Sequence, residues 1–273
     1  MKKIGVLQEY VKMVARGFFD SLIVTGKPGI GKSYTVVDAL KQMNVKYKYH
    51  SGFSSPLALY NYLFYNNDKL IVFDDTSGIL NNEMAMSVLN PALWPVDNKR
   101  VVSWNSSSKK AEVPEFEFKG KIIFICNKIP RKYSSIHSRC MIYHLAFSRK
   151  EMFQLMREIA SKPNKLTVKE RQMIVDFIEK NTDESTLDLN LRTQSKIESI
   201  YLYDRKNWKA LSLNLLARKD DKLSVVLSLL KSGLPVREQV RKWMEYGWSR
   251  RAYFLYKSKI SELPQPEGRG FKR

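Results

Sequence analysis

Cysteine is nearly absent from this chain. Cys126 and Cys140, both beside apolar neighbours, are too few for a disulfide framework or a zinc site and point to a reducing compartment. The three histidines, His50, His137 and His144, stand apart in sequence and read as structural; no Cys/His/Asp nucleophilic arrangement or metal-ligand spacing accompanies them. Long apolar runs are also missing: nothing approaches the ~18 consecutive residues of a membrane helix, so no membrane partner is expected. The opening MKKIGVLQEYVKM has the lysines of a signal peptide, but Gln8, Glu9 and Lys12 interrupt its apolar region. No internal repeat is visible. Acidic residues are scarce as well. Against 47 Lys and Arg there are 27 Asp and Glu, giving +20 at pH 7. Such an excess implies a polyanionic partner, because each cation placed at a phosphate releases counterions. The excess is uneven: from Lys206 onward 16 basic residues face 6 acidic ones, half the total charge in the last quarter.

What is present is a globular composition, 44% hydrophobic and 12% aromatic, enough to build a core in 273 residues. An amphipathic helix is expected over Ile4–Arg16. SLIVT reads as a buried strand, SYTVVDALKQM as a helix, VKYKYH as a strand, and SPLALYNYLFYNN as a helix opened by Ser55 and Pro56. KLIVFDD and KIIFICN are continuous apolar runs of the kind found inside parallel sheets, and CMIYHLAF is a further strand. Alternating strands and helices predict a doubly wound α/β sheet. After Ser148 only helical periodicity remains, through RKEMFQLMREIAS, TVKERQMIVDFIEKN and TQSKIESIYLYD. A third segment after ARKDDK has its own helices, and ELPQPEGRGFKR reads as a disordered tail.

Gly26-x-x-x-x-Gly31-Lys32-Ser33 has P-loop spacing between a strand and a helix. Glycines at those positions let backbone N–H groups converge on phosphates, at the positive end of the following helix. The candidate nucleotide contacts are Gly26, Lys27, Pro28, Gly29, Ile30, Gly31, Lys32, Ser33 and Tyr34. Lys32 would reach the β- and γ-phosphates of ATP, and Ser33 would ligate Mg²⁺. In LIVFDDT, Asp74 and Asp75 end an apolar strand at the carboxyl edge where open α/β sheets bind ligands. Asp74 would hold Mg²⁺ directly or through water, and Asp75 would polarise the attacking water.

A P-loop, an acidic strand end, the strand KIIFICN ending in Asn127, then SSIHSRC and a helical segment together resemble the AAA+ ATPase family over about residues 4–206. The resemblance implies that Asn127 orients the attacking water. It also implies that Arg139 reaches into a neighbouring subunit's ATP as a finger, with Arg131 and Arg149 as competitors, and that Arg192 in the lid senses the γ-phosphate. A homo-oligomer, a hexameric ring or spiral, is implied with it. The pattern departs from the family at Asp75, where Glu is usual; Asp-Asp also occurs in superfamily-three viral helicases and in helicase loaders.

NKRVVSWNSSSKKAEVPEFEFKGK reads as a β-hairpin and resembles the pre-sensor hairpin with which superfamily-three helicases grip single-stranded DNA. Lys109 and Lys110 fall at its tip, and Trp104 is expected to pack its root. LPVREQVRKWMEYGWSRRAYFLYKSKI resembles a helix-turn-helix. Val236, Val240, Trp243 or Met244, Ala252 and Leu255 would be its apolar face, and Gly247 its turn. Arg250, Arg251 and Lys257 would face duplex DNA. A bulky Trp243 departs from the usual small residue.

The expected architecture is an α/β AAA+ core over 1–148, a helical lid over 149–206, a basic helix-turn-helix-like module over 207–261 and a tail over 262–273. The expected function is a DNA-associated ATPase, helicase or initiator-like, in virus, phage or plasmid replication. The expected location is the cytoplasm of a prokaryote or virus-infected host. A loader or transposition regulator that binds a partner protein, and a protein-remodelling or virion-assembly ATPase, are the alternatives.

Overall fold

In the computed structural model, residues 2–75, 77–105, 111–129, 134–187, 189–217 and 219–261 are described. The chain divides into two compact units, Met1–Ala146 and Phe147–Arg273. The expected tail, the hairpin-tip lysines Lys109 and Lys110, and Arg131 lie outside the described residues.

The first unit runs α1 (Lys2–Ala15), β1 (Ser21–Thr25), α2 (Lys32–Gln42), β2 (Tyr47–Ser51), α3 (Pro56–Tyr65), β3 (Leu70–Asp74), α4 (Ser77–Leu80), α5 (Glu83–Leu93), β4 (Val101–Ser103), β5 (Glu115–Glu117), β6 (Lys121–Ile125), α6 (Ser134–Arg139) and β7 (Met141–His144). The sheet order is β2-β3-β6-β1-β7, parallel throughout. β1 is buried along its whole length, and β3 and β6 over four of five residues. Layers on both faces therefore explain the unbroken apolar runs. Ser55 caps α3 by accepting from Ala58 N, with Pro56 in the first turn, as its residue types predict. Leu59 and Leu63 of that helix, Leu89 of α5 and the stacked rings of Phe73 and Phe124 form the core. α4 and α5 occupy a stretch to which the spacing assigned no element, and Pro91 lies inside α5.

The expected hairpin is present as β4 and β5, antiparallel with Val102 opposite Phe116. Both side chains join the core, Tyr60 donates its hydroxyl to Val113 O at 2.8 Å, and the Trp104 ring packs on Tyr60. Trp104 thus belongs to the hairpin's root. Both cysteines are buried and unpaired, and burial pushes each thiol up to about 11, which leaves neither reactive as a thiolate.

The second unit comprises α7 (Arg149–Ala160), α8 (Val168–Lys180), α9 (Leu191–Tyr203), α10 (Trp208–Leu216), α11 (Asp221–Lys231), α12 (Val236–Glu245) and α13 (Arg250–Ser261). Capping boxes, Ser148 with Glu151 and Thr167 with Glu170, start α7 and α8. A buried ion pair, Arg171 to Glu198 at 3.0 Å, ties α8 to α9, and Arg171 also donates to Ile159 O. Trp208, on the far side of the expected boundary at 207, packs on Phe177 and Tyr201, so α10 lies with α8 and α9. Three helices, α11, α12 and α13, then enclose Val226, Leu229, Val240, Trp243 and Tyr253. Lys219, just before α11, pairs with Asp183 at 2.7 Å. Burial alone would raise that carboxyl's pKa, but Lys219 and the Ser185 hydroxyl and N–H outweigh it and bring it to about 2.

Candidate nucleotide site and basic terminal module

Parallel register brings the candidate residues to one rim of the sheet. Asp74 on β3 and Val24 on β1 both stand level with Ile125 on β6, between them. Two residues past Val24 begins the Gly26 loop, and two past Ile125 is Asn127. Backbone bonds continue the alignment beyond the strands: Cys126 N to Val24 O at 3.0 Å and Asp75 N to Ile125 O at 3.1 Å.

The loop itself needs its glycines. Gly26 has φ 147°, and a Cβ there would stand 2.2 Å from Leu145 O. Gly31, at φ 91°, is the N-cap of α2, so the first turn of an eleven-residue helix opens at the end of the loop. Lys27 and Pro28 are exposed, Ile30 is buried against Gly26, and Tyr34 is exposed. Lys32 is buried, with 7% of its surface exposed, and its ammonium donates to Gly26 O at 2.7 Å, Lys27 O at 2.8 Å and Asn127 Oδ1 at 3.1 Å. A burial this deep is tolerable for a cation only with such acceptors. The cation is thereby held beside both the loop and the end of β6.

Asp75 leaves β3 with φ 53°, the left-handed region that Asp enters more readily than most residues. Asp74, one residue earlier, accepts a hydrogen bond from the Tyr49 hydroxyl, and the Ser33 hydroxyl acts on the same phenol, lowering its pKa against the rise from burial and Asp74. Ser33 and Asp74 thus both act on the Tyr49 phenol, and both are hard donors of the type Mg²⁺ takes. Among the described residues no three His, Cys, Asp or Glu side chains gather to hold a metal ion. An ion at Ser33 and Asp74 would complete its shell with phosphate oxygens and water, the usual Mg²⁺ arrangement. The donor set fits the expected metal. Tyr49 was not anticipated from the sequence; burial, and then Asp74, hold its pKa above the ordinary tyrosine value.

The arginines separate into different environments. Arg149, one of the competitors for the finger role, donates to Thr182 Oγ1, Glu179 O and Thr182 O at 2.9 Å and lies over the Phe153 ring. It is an internal tie of the second unit. Arg139 ends α6, where its carbonyl accepts from Ser21 Oγ on β1. Arg192 lies in the first turn of α9, exposed, with its N–H capped by Asn190. His50 is bonded to Ser54 and packed by Tyr62 and Phe73, and His144 is bonded to Thr25, which gives both structural work.

In the terminal module Trp243 is fully buried and its Nε1–H donates to Ser249 O at 3.0 Å, across the turn at Gly247. Met244, the other candidate for that face, is exposed. Two expected core positions are corrected: Val236 and Leu255 are exposed, at 43% and 56%, because Gln239, Val240 and Trp243 are the buried residues of α12 and Tyr253 and Tyr256 take the inner face of α13. Tyr253 donates to Gln239 Oε1 at 2.5 Å, fixing α13 on α12. The outer side carries Arg237, Arg241, Lys242, Arg250 and Arg251, all exposed. Ser249 caps α13, Arg250 lies over Phe254, and Lys257 over Tyr253.

No protein-family model matches the chain. An uncharacterized 36.7 kDa protein from the nrdC-mobD intergenic region of Enterobacteria phage T4 is 31% identical over 136 residues, 46% of this chain and 41% of that protein. The match thus spans less than half of that relative's length. Among solved structures, a variant of Thermotoga maritima RuvB aligns with a TM-score of 0.53 at 14% identity, over 97% of this chain and 88% of that one. The RuvB Holliday junction branch migration motor of the same organism aligns with a TM-score of 0.50 at 14% identity. No helix among the described residues is long and apolar enough to cross a membrane. The fold is α/β with a parallel sheet and many helices, the AAA+ fold that RuvB also has.

Proposed function

We propose that the chain is a Mg²⁺-dependent ATP hydrolase that works as an oligomer on DNA. The observation that carries the reading is the shared rim: Asp74 and Asp75 at the end of β3 and Asn127 just past β6 meet Lys32, which opens α2 after the loop from β1, with Lys32 Nζ 3.1 Å from Asn127 Oδ1. In this reading the loop N–H groups and Lys32 hold the phosphates, and Ser33 with Asp74 holds the metal, which neutralises charge on the transferred phosphoryl group. Asp75 takes the proton of the attacking water, and Asn127 orients that water. Arg139 of a neighbouring copy stabilises charge at the γ-phosphate, and Arg192 senses it.

The DNA half of the reading is supported by the +20 charge and by the exposed cations of α12 and α13, Arg250 and Arg251 foremost. Lys257 would add to the duplex contact. The root of the hairpin is built, and Lys109 and Lys110 are assigned to single-stranded DNA in the central pore. Helicase or initiator-like work in phage or mobile-element replication is the task this combination suits best. The phage relative and the RuvB motor's fold support that setting.

Arg139→Ala and Asp75→Asn should each bind ATP but lose turnover. Mixed, they should recover part of the wild-type rate, since one copy can supply the arginine and its neighbour the carboxylate. Steady-state phosphate release from the two variants, alone and mixed at constant total protein, measures this. No recovery on mixing would remove the finger in trans.

A further inference from the structure

We propose that Tyr49 is a displaceable stopper of the magnesium position, so that metal loading requires its phenol to swing out of the site; this rests on the nucleotide-binding reading above. The phenol donates to the Asp74 carboxylate, and the Ser33 hydroxyl acts on it from the start of α2. Those are the two side chains best suited to hold the ion. An oxygen hydrogen-bonded to Asp74 stands in the volume that an ion on that carboxylate, with ligands at about 2.0–2.1 Å and its bound water, must fill. A phenol and an octahedral hydrated ion cannot share it.

The geometry of the strand allows this placement and its reversal. β2 is the edge strand, and Ser51, not Tyr49, stands level with Asp74. Two residues of strand rise span about 6.6 Å, close to the reach of a tyrosine side chain, so the hydroxyl arrives at the rim from below. Tyr49 is 46% exposed, so its side chain borders the solvent into which it would swing. His50, the next residue, points to the other face and is anchored by Tyr62 and Phe73, so the strand can stay fixed while Tyr49 moves. Without metal, the phenol satisfies the Asp74 carboxylate. With metal, the ion replaces it. Tyr49 thereby sets the Mg²⁺ concentration at which the nucleotide site becomes competent, leaving metal-free nucleotide binding unaffected.

The test is a binding titration of a fluorescent, non-hydrolysable ATP analogue into the full chain, in EDTA and in millimolar Mg²⁺. Wild type, Tyr49→Phe and Tyr49→Leu are compared, with folding checked by circular dichroism. In EDTA the three should bind alike. In Mg²⁺ both variants should bind about tenfold more tightly than wild type, the size expected when a hydrogen bond to a charged group no longer has to be broken. Equal or weaker binding by Tyr49→Phe in Mg²⁺ would overturn the stopper and mark the phenol as a support for metal-bound water. If folded wild type binds the analogue in neither buffer, the nucleotide-binding reading fails and the stopper with it.

Discussion

Gly26 shows how a single residue's backbone sets up the loop between β1 and α2 that is proposed to hold a nucleotide. At φ 147°, with Leu145 O where a Cβ would go, it lets the loop leave β1 directly beside the end of β7. Gly26→Ala should lower stability by at least about 2 kcal/mol, from backbone strain and a clash with main chain that cannot rotate away. Urea unfolding measures it, and a midpoint unchanged from wild type would mean that the loop relaxes at no cost. Gly26 was legible because the P-loop spacing calls for glycines there, and Lys32 and Ser33 followed from the same spacing; Asp74 was drawn from the end of the apolar run LIVFD, and the structure places it level with Ile125 on the shared rim. Tyr49 was not legible. Its contact depends on the register of β2 against β3 and on the length of its side chain, and neither leaves a mark in VKYKYH. The left-handed turn at Asp75 was equally hidden, since Asp enters that region more readily than most residues but nothing in LIVFDDT marks it.

Elements were readable where burial is two-sided. SLIVT, LIVFD and KIIFI are continuous apolar runs because helices cover both faces of the sheet, and all three became central strands. α5 escaped because Pro91 and Asn90 break a helical reading that tertiary packing restores through Leu89, Ala92 and Leu93. On α13 Ala252 packs against the cluster as expected, but Leu255 does not: Tyr253 and Tyr256 take the interior, where Trp243 offers them a ring to pack against. The bulky Trp243, unusual for a helix-turn-helix, is the centre of the α11–α13 cluster. Trp243→Ala should cost that cluster about 3–5 kcal/mol. Hydrogen exchange should then accelerate in α11, α12 and α13 while amides of α2 and β1 keep their protection, and duplex DNA affinity should fall with nucleotide affinity unchanged. Unchanged exchange in α13 would show that the tryptophan is not what holds the module together.

At the scale of the whole molecule, two facts stand in need of a common explanation: an AAA+ fold with the P-loop groups on one rim, and a net charge of +20 concentrated toward the C-terminal helices. The proposed coupling of ATP hydrolysis to a nucleic acid would join them. A protein-remodelling ATPase would leave the charge without a use in the cycle. The decisive measurement is steady-state ATP hydrolysis with no DNA, with single strands and with duplex, each across a salt series, using Lys32→Ala as the blank. The expected result is turnover stimulated several-fold by DNA, with the stimulation fading as salt rises because phosphate contacts are lost with counterion competition. Turnover that is above the blank yet identical with and without DNA at every salt concentration would contradict a DNA-coupled ATPase and redirect the search to a protein partner.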